Sequence, residues 1–255
     1  MSRFLAEKEK YFGVTSVRST PISRGFYDLC NLIFEKNENS KGSISPFDFK
    51  RLFSQAHTNF VGYHQHDSQE FLRLLLQDIS EELNKIVNIP KYKELDTSSS
   101  NKKQLNLDFD NLFRSREESI VIDTFYGQIA NIFKCIACNY ETYSFEKFYD
   151  IPLLIESESY SGIILIDLLK EFFNTEKFDW DAPCENKRCR KKITHEKSLK
   201  LTILPEILVL CLQRYNNRTN KKNCSRIKIS ETLDMSDYID RECTGMIKFI
   251  VLYYI

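Results

Sequence analysis

Two pairs of cysteines have a spacing that suits metal binding. Cys135 and Cys138 are separated by two residues, and Cys184 and Cys189 by four. A pair of this kind lets two thiolates converge on one ion from a tight turn, and two pairs far apart in sequence are typical of a tetrahedral four-thiolate zinc site. Because four protein ligands leave no open coordination position, we expect one structural zinc ion that clamps two strand hairpins together.

The remaining cysteines stand alone, at Cys30, Cys211, Cys224 and Cys243. The N-terminal segment is charged and lacks the apolar stretch of a signal peptide, so we expect an intracellular, reducing environment in the cytoplasm or nucleus. Isolated cysteines in such a compartment are typically small buried residues or neutral surface residues. The paired cysteines have the same alternative interpretation, because the second pair is wider than the usual ligand spacing.

Charge and hydropathy argue against nucleic-acid and membrane partners. The chain has 36 basic and 36 acidic residues, whereas nucleic-acid binders usually carry a basic excess. Basic residues do surround the second cysteine pair, and a patch for nucleic acid or an acidic partner is one interpretation of them. Since no aromatic residues are interleaved, we favour a solvated tip whose charges offset the thiolates. The longest apolar stretches, 201–212 and 246–255, are far shorter than the about 20 residues of a membrane span.

Two carboxylates begin the strongest predicted helix, which runs from about Asp67 to Val87. Its apolar face repeats at helical spacing and comprises Phe71, Leu75, Ile79, Leu83 and Ile86. Asp67 and Glu70 have the spacing of a capping box, in which two side chains accept hydrogen bonds from backbone N–H groups at the helix start. Their first role would therefore be to stabilise this helix.

Two shorter helices are predicted before it. Residues 21–36 place apolar side chains at helical spacing. A second helix is expected to start near Ser45-Pro46, where serine can cap and proline can occupy the first turn. It would bury three apolar residues, Phe49, Leu52 and Phe53. The polar segments 37–43 and 91–106 are predicted to be loops.

From about Ser119 onwards the sequence is rich in β-branched and aromatic residues, which indicates strands. A short helix is expected over Ile163–Phe173, and a turn or hairpin tip over 216–226. The predicted strands lie within residues 119–138, 141–155, 195–215 and 246–255. Pro205 separates two strands within 195–215. Because helices come first and strands later, the predicted fold class is α+β. The apolar last strand would be an unprotected edge, so we interpret the chain as cut inside a sheet.

The segment Phe60–Leu72, with the sequence FVGYHQHDSQEFL, closely resembles the Gln-rich box of ubiquitin-specific proteases. Four further segments resemble that family and occur in its order. They are Ser119–Gln128, the first cysteine pair with the strand to Leu153, the second cysteine pair, and Leu204–Tyr215. Five segments in the same order identify a partial ubiquitin-specific protease catalytic domain over about residues 20–255.

The resemblance implies a papain-like hand of thumb, palm and fingers, incomplete at both ends. Residues from about 1 to 115 would form the helical thumb. The zinc-ribbon fingers would be about 119–152 and 180–203, and the palm about 153–179 and 204–255. Palm and fingers would both be antiparallel β structure, and the whole chain would be one domain.

The resemblance also implies a function. Members of this family are cysteine proteases that bind ubiquitin or ubiquitinated proteins and cleave the isopeptide bond after the C-terminal glycine of ubiquitin. By the same resemblance, Asp67 and Glu70 would face the basic tail of ubiquitin, because carboxylates pair strongly with arginine. Gln65 would position the active-site region.

Two motifs of the family do not occur in this sequence. Neither the Gly-Asn-Thr-Cys box with the nucleophile nor the Gly-His-Tyr box with the catalytic histidine is found. Cys30, the one cysteine before the Gln-rich box, lies in a plain amphipathic helix with no activating base evident. The histidines match no such box: His57, His64, His66 and His195. We therefore assign no catalytic residue and predict that this chain does not hydrolyse ubiquitin conjugates.

Three interpretations of function remain open. The chain would be part of an active deubiquitinase, which the apolar end favours. It would alternatively be a non-catalytic module that binds ubiquitin through the Gln-rich box. In the third interpretation it is a zinc-dependent scaffold with no ubiquitin role, and metal binding without ubiquitin binding would identify it.

Overall fold

The computed structural model describes residues 19–36, 43–91, 93–95, 101–155, 162–179, 183–191, 194–216, 221–243 and 251–254. They belong to two compact units. The first comprises Met1–Pro90 and Arg114–Asp123, and the second comprises Lys91–Phe113 and Thr124–Ile255. Helices come first and strands later, so the predicted α+β class is confirmed. No described helix is long and apolar enough to cross a membrane.

The first unit contains helices α1 (Pro21–Lys36), α2 (Phe47–Ala56) and α3 (Ser68–Glu82), with a 3₁₀ turn at Thr58–Phe60. Its core includes a cluster of aromatic rings around Phe53. The centroid of this ring lies 5.2 Å from that of Phe60 and 4.9 Å from that of Phe71. Rings at these spacings and tilts pack edge to face, which stabilises them beyond their buried area.

The end of α3 supports two neighbouring segments. The Glu82 carboxylate accepts hydrogen bonds from the backbone N–H groups of Ile22 (3.0 Å) and Ser23 (2.7 Å), and so caps α1. The Asn84 side chain accepts from the backbone of Ile86 (3.0 Å) and Glu118 (3.0 Å). This local turn competes with helical hydrogen bonding, which explains why α3 ends at Glu82 and not near Val87 as predicted.

The start of α2 also differs from the prediction. Pro46 is the N-cap residue and makes no side-chain cap, so the helix begins at Phe47. The Ser45 hydroxyl accepts a hydrogen bond from the Phe47 backbone at a long 3.4 Å. Phe49 and Phe53 are buried as expected, while Leu52 is half-buried.

Two helices form where the sequence pattern predicts a loop and a strand. The predicted loop over 91–106 overlaps helix α4 (Lys102–Arg114), whose Leu105 is buried. The predicted strand after Ser119 begins instead as helix α5 (Ile120–Phe125). There the Ser119 hydroxyl accepts a hydrogen bond from the Ile122 backbone at 3.2 Å, as an N-cap does. This cap outweighs the β preference of the isoleucine and valine side chains.

The second unit contains an antiparallel sheet with strand order β2-β1-β6-β5. Its strands are β1 (Gly127–Cys135), β2 (Glu141–Phe148), β5 (Glu176–Asp179) and β6 (Thr194–Ile203). A ladder of alternating charge crosses one face of it. Lys134 faces Glu141 and Glu196, and Glu196 faces Lys177. Opposite charges at directly paired positions stabilise a sheet, and the Lys177 Nζ to Glu196 Oε1 distance is 3.6 Å.

A second sheet of the unit is parallel, in the order β11-β7-β3. Its strands are β3 (Asp150–Leu154), β7 (Ile207–Gln213) and β11 (Val251–Tyr254). The prediction that all palm strands are antiparallel is therefore wrong for this sheet. Residue patterns predict which faces of a strand are apolar, but strand direction depends on the crossover connections. Helix α6 (Leu165–Phe172) belongs to the core beside this sheet.

The remaining elements are short. Strands β4 (Ile163–Ile164) and β10 (Ile227–Lys228) pair in parallel, and a second 3₁₀ turn spans Ser236–Tyr238. Strands β8 (Tyr215–Asn216) and β9 (Lys221–Lys222) pair antiparallel, which agrees with the predicted hairpin. The main core cluster of the unit combines buried aromatic and aliphatic side chains, and its most deeply buried members are Ile151, Leu153, Leu165, Leu169, Leu201, Leu208 and Leu210.

The first two residues of β1 have specific structural requirements. Gly127 faces Phe148 on β2, and a Cβ at this position would overlap the Phe148 ring. Gln128 is fully buried, accepts a hydrogen bond from the Tyr126 hydroxyl (2.9 Å) and donates one to Asn106 Oδ1 (2.6 Å). A buried amide needs such partners, because unpaired polar groups are costly in a core. This chain of hydrogen bonds connects α4 to β1.

We predict that Gly127→Ala destabilises the protein by about 1–3 kcal/mol, because the added methyl group must displace the Phe148 ring. Urea denaturation would measure the change in the free energy of unfolding. The control is the same substitution in a Phe148→Ala background, where the overlap is gone and the loss should largely disappear. Equal losses in both backgrounds would contradict this explanation.

Candidate metal centre and acidic helix start

The structure brings together the four paired cysteines. Cys135 ends β1, Cys138 lies in the following turn, and Cys184 and Cys189 lie in the loop before β6. Their sulfur atoms all lie within 4.8 Å of one another, and the Sγ atoms of Cys138 and Cys184 are 3.7 Å apart. A tetrahedral ion with metal–sulfur bonds of about 2.3 Å separates its sulfurs by about 3.8 Å. The four cysteines therefore fit one metal ion.

Backbone hydrogen bonds shape both cysteine-bearing turns. In the first, the backbone carbonyl of Cys135 accepts a hydrogen bond from the Asn139 N–H at 2.8 Å. In the second, the Cys184 N–H donates to the Lys191 carbonyl at 3.0 Å. The residue after the second cysteine of each turn has a positive φ, 56° at Asn139 and 47° at Arg190. These two left-handed residues reverse the chain and keep both cysteines of each turn on the same side.

The environment favours thiolate at one of these cysteines and thiol at another. The backbone N–H of Tyr140, with smaller contributions from the neighbouring cysteines, lowers the pKa of Cys138 to about 7. Burial raises the pKa of Cys184 to about 12. A bound metal ion replaces thiol protons, so binding to this cluster would release protons and become weaker as the pH falls.

The four cysteines outside the cluster have the properties expected of ordinary core or surface residues. None of the eight cysteines, all of which lie in the described part of the chain, forms a disulfide bond. Cys30 is 3% exposed, and burial raises the pKa of its thiol. Cys211 is buried and Cys224 is exposed. Burial also raises the pKa of Cys243, to about 11. A buried thiol with a raised pKa is a poor nucleophile.

The acidic start of α3 is exposed. Asp67 is the N-cap residue, as predicted, and its Oδ1 accepts hydrogen bonds from the backbone N–H groups of Gln69 (2.7 Å) and Glu70 (3.4 Å). Both hydrogen bonds go to Oδ1, so Oδ2 lies outside the cap. The side chains of Gln65 and Glu70 are exposed as well. The surface at the helix start therefore presents two carboxylates and an amide.

An exposed aromatic side chain before this helix was not anticipated from the sequence. Gly62 has φ 87° and turns the chain so that Tyr63 is 94% exposed. The Lys50 ammonium lies 4.4 Å from the Tyr63 ring centroid and also donates a hydrogen bond to the Gly62 carbonyl. Val61, on the other side of the turn, is exposed too. The only sequence signal was the Gly-Tyr pair inside the Gln-rich box.

The histidines are dispersed over both units. His57 Nε2 lies 2.6 Å from Asp78 Oδ2. His64 and His66 are exposed, and the His66 ring packs against Phe60 with centroids 4.8 Å apart. His195 is buried on β6, directly opposite Cys135 of β1.

Known proteins are similar to this chain in sequence and in fold. The model of the family described as "Ubiquitin carboxyl-terminal hydrolase" matches residues 5–247. Ubiquitin carboxyl-terminal hydrolase 2 of Gallus gallus is 29% identical over 229 residues, which are 88% of this chain and 63% of that protein. The protein of the same name in Rattus norvegicus is 30% identical over 212 residues, 82% of this chain and 34% of that protein. The chain thus spans less than two thirds of either relative.

A similar fold occurs in the structure of the SAGA Ubp8/Sgf11/Sus1/Sgf73 DUB module bound to ubiquitin aldehyde. The TM-score is 0.66 at 18% identity, over 94% of this chain and 48% of the matched chain. This likeness confirms the predicted papain-like α+β fold. The chain therefore belongs to the ubiquitin carboxyl-terminal hydrolase family and has the catalytic-domain fold of its ubiquitin-specific proteases.

Proposed function

We propose that this chain is the ubiquitin-binding part of a deubiquitinase, which cleaves the isopeptide bond after the C-terminal glycine of ubiquitin. Family membership supports this activity, and the structure with a similar fold was determined with ubiquitin aldehyde bound. In this proposal, the partner is ubiquitin or a ubiquitinated protein. The protein acts inside the cell, in the cytoplasm or nucleus, where free thiols persist.

The exposed acidic start of α3 is the observation that carries the ubiquitin assignment. Asp67 uses one carboxylate oxygen for its own helix, which leaves Oδ2 for a ligand. With Glu70 in the first turn, it would hold the basic tail of ubiquitin through charge-assisted hydrogen bonds. Gln65 would position the neighbouring active-site region. Tyr63 would add apolar contact area beside these charges.

The cysteine cluster would hold one structural zinc ion. The sulfur separations fit a four-thiolate tetrahedron, and such a site has no open position for a substrate. The ion would fix the tip of the fingers, about residues 119–152 and 180–203. Residues from about 1 to 115 would be the thumb, with the palm at about 153–179 and 204–255.

No residue of this chain is assigned a catalytic role. Cys30 is buried and its pKa is raised, so it is unsuited to act as the nucleophile. We therefore propose that the 255-residue chain does not hydrolyse ubiquitin conjugates by itself. It would instead provide ubiquitin binding to a protein that carries the nucleophile and histidine segments of the family.

The ubiquitin assignment predicts that Asp67→Ser weakens ubiquitin binding about tenfold, because serine can still cap the helix but carries no charge. Asp67→Ala should weaken binding at least as much and also lower helix stability by about 1 kcal/mol. Calorimetric titration with ubiquitin and thermal denaturation would separate the two effects. Glu81→Gln, which neutralises an exposed carboxylate at the other end of α3, is the control and should bind normally.

Unchanged affinity of Asp67→Ser would refute the tail-binding role. If the unsubstituted chain does not bind ubiquitin at all, a zinc-dependent scaffold becomes the better description. If ubiquitin binds and the complete protein also shows no turnover, the protein is a non-catalytic ubiquitin-binding module.

The zinc assignment predicts about one zinc per chain after purification in a reducing buffer without chelator. Elemental analysis would measure the ratio. Cys138→Ser should lower it and destabilise the second unit, because structural zinc contributes directly to folding. Cys224→Ser is the control, since this exposed thiol lies outside the cluster. A folded, metal-free protein would contradict the assignment.

We expect no turnover of a ubiquitin–fluorophore substrate by this chain, because the Cys30 thiol is buried and its pKa is raised. A fluorescence assay at high enzyme concentration would test this expectation. Turnover that is lost in Cys30→Ser would show that Cys30 is a nucleophile and that the proposal of inactivity is wrong.

A further inference from the structure

The second cysteine pair is wider than the first by two residues, and Asn186 occupies the extra space. In the first turn, the Cys135 carbonyl accepts the hydrogen bond that closes the turn, from Asn139 at 2.8 Å. In the second turn, the corresponding acceptor is the Asn186 carbonyl, which binds the N–H groups of Cys189 (2.9 Å) and Arg190 (3.1 Å). The extra residues therefore place an amide side chain where the first turn has a metal ligand.

Asn186 contacts sulfur atoms from both turns. Its Nδ2 donates to Cys138 Sγ at 3.6 Å, and its backbone N–H hydrogen-bonds to the Cys184 thiol. These are the same two sulfurs that lie 3.7 Å apart. The orientation of the amide follows from its other contact, because Oδ1 accepts the backbone N–H of Arg188 at 3.0 Å. With Oδ1 used in this way, the NH₂ group must face Cys138.

We propose that Asn186 is a positioning residue of the metal centre, which stabilises the negative charge of the Cys138 thiolate and holds the two turns in register. Four thiolates around a divalent ion carry a net charge of −2, and hydrogen bonds from N–H groups reduce the repulsion between them. Groups that hydrogen-bond to metal ligands typically change metal affinity 10- to 100-fold. The wide spacing of Cys184 and Cys189 would thus strengthen the site, and the inference rests on the metal binding proposed above.

A purely structural role in the turn is the competing explanation, and two substitutions separate the roles. Asn186→Asp keeps an oxygen that can accept the Arg188 N–H, but it replaces the donor to Cys138 with a negative charge. Asn186→Ser also keeps an acceptor for the turn, is neutral, and is too short to reach Cys138. Asn139→Asp is the matched control, because it adds the same charge beside the first turn at an exposed position, and aspartate also tolerates the left-handed conformation that this turn requires.

The experiment is titration of the full chain with Co²⁺, followed by competition of Zn²⁺ against a chromophoric chelator. We expect Asn186→Asp to weaken metal binding by roughly tenfold or more, Asn186→Ser to weaken it less, and Asn139→Asp to change it less than threefold. Loss of the hydrogen bond should also move the sulfur-to-cobalt charge-transfer band to longer wavelength in both Asn186 variants. A structural role alone would not move this band.

Unchanged affinity and band position in Asn186→Ser would overturn the proposal, even if Asn186→Asp failed to fold. Equal weakening by Asn186→Asp and Asn139→Asp would also overturn it, since that result reports a general effect of charge. Absence of metal binding by the unsubstituted chain would overturn both this inference and the metal site itself. If the unsubstituted chain binds metal tightly, the metal site is supported, and the Asn186 variants then decide the role of Asn186 by themselves.

Discussion

Strand β1 pairs with β2 on one side and with β6 on the other, and its register decides where the chemically important groups of the second unit lie. At one end, the absence of a side chain at Gly127 leaves room for the Phe148 ring. The buried Gln128 side chain next to it hydrogen-bonds to Tyr126 and to Asn106. At the other end, Cys135 is the first residue of the four-cysteine cluster. Because the strand is continuous between these points, the buried amide and the cysteine cluster constrain the same three strands, β1, β2 and β6.

Much of this arrangement could be predicted from the sequence. The bounds of α1, the cap at Asp67 and the grouping of the cysteines follow from local patterns with one clear physical cause each. Helix α4 was missed because its lysines and asparagines resemble a loop, although Leu105 is buried. Helix α5 was missed because three β-branched residues suggested a strand, while the cap at Ser119 decides the conformation.

Features that depend on distant contacts could not be predicted in this way. The parallel direction of β3, β7 and β11 is a property of the connections between them. The contact of Asn186 with Cys138 joins residues 48 positions apart, and the sequence shows only that the second pair is wide. The near-complete exposure of Tyr63 depends on the left-handed turn at Gly62 and on Lys50 beneath the ring.

The charge ladder across the antiparallel sheet has a consequence for how the strands find their partners. Apart from the buried His195, the side chains of β6 near the cysteine cluster are only half-buried, so hydrophobic burial distinguishes weakly between alternative registers there. If β6 moved by one residue in the direction that brings Lys197 to the place of Glu196, Lys197 would stand between Lys134 and Lys177. Three adjacent lysines repel one another. The ladder thus penalises this misalignment electrostatically and favours the alignment in which the two cysteine turns meet.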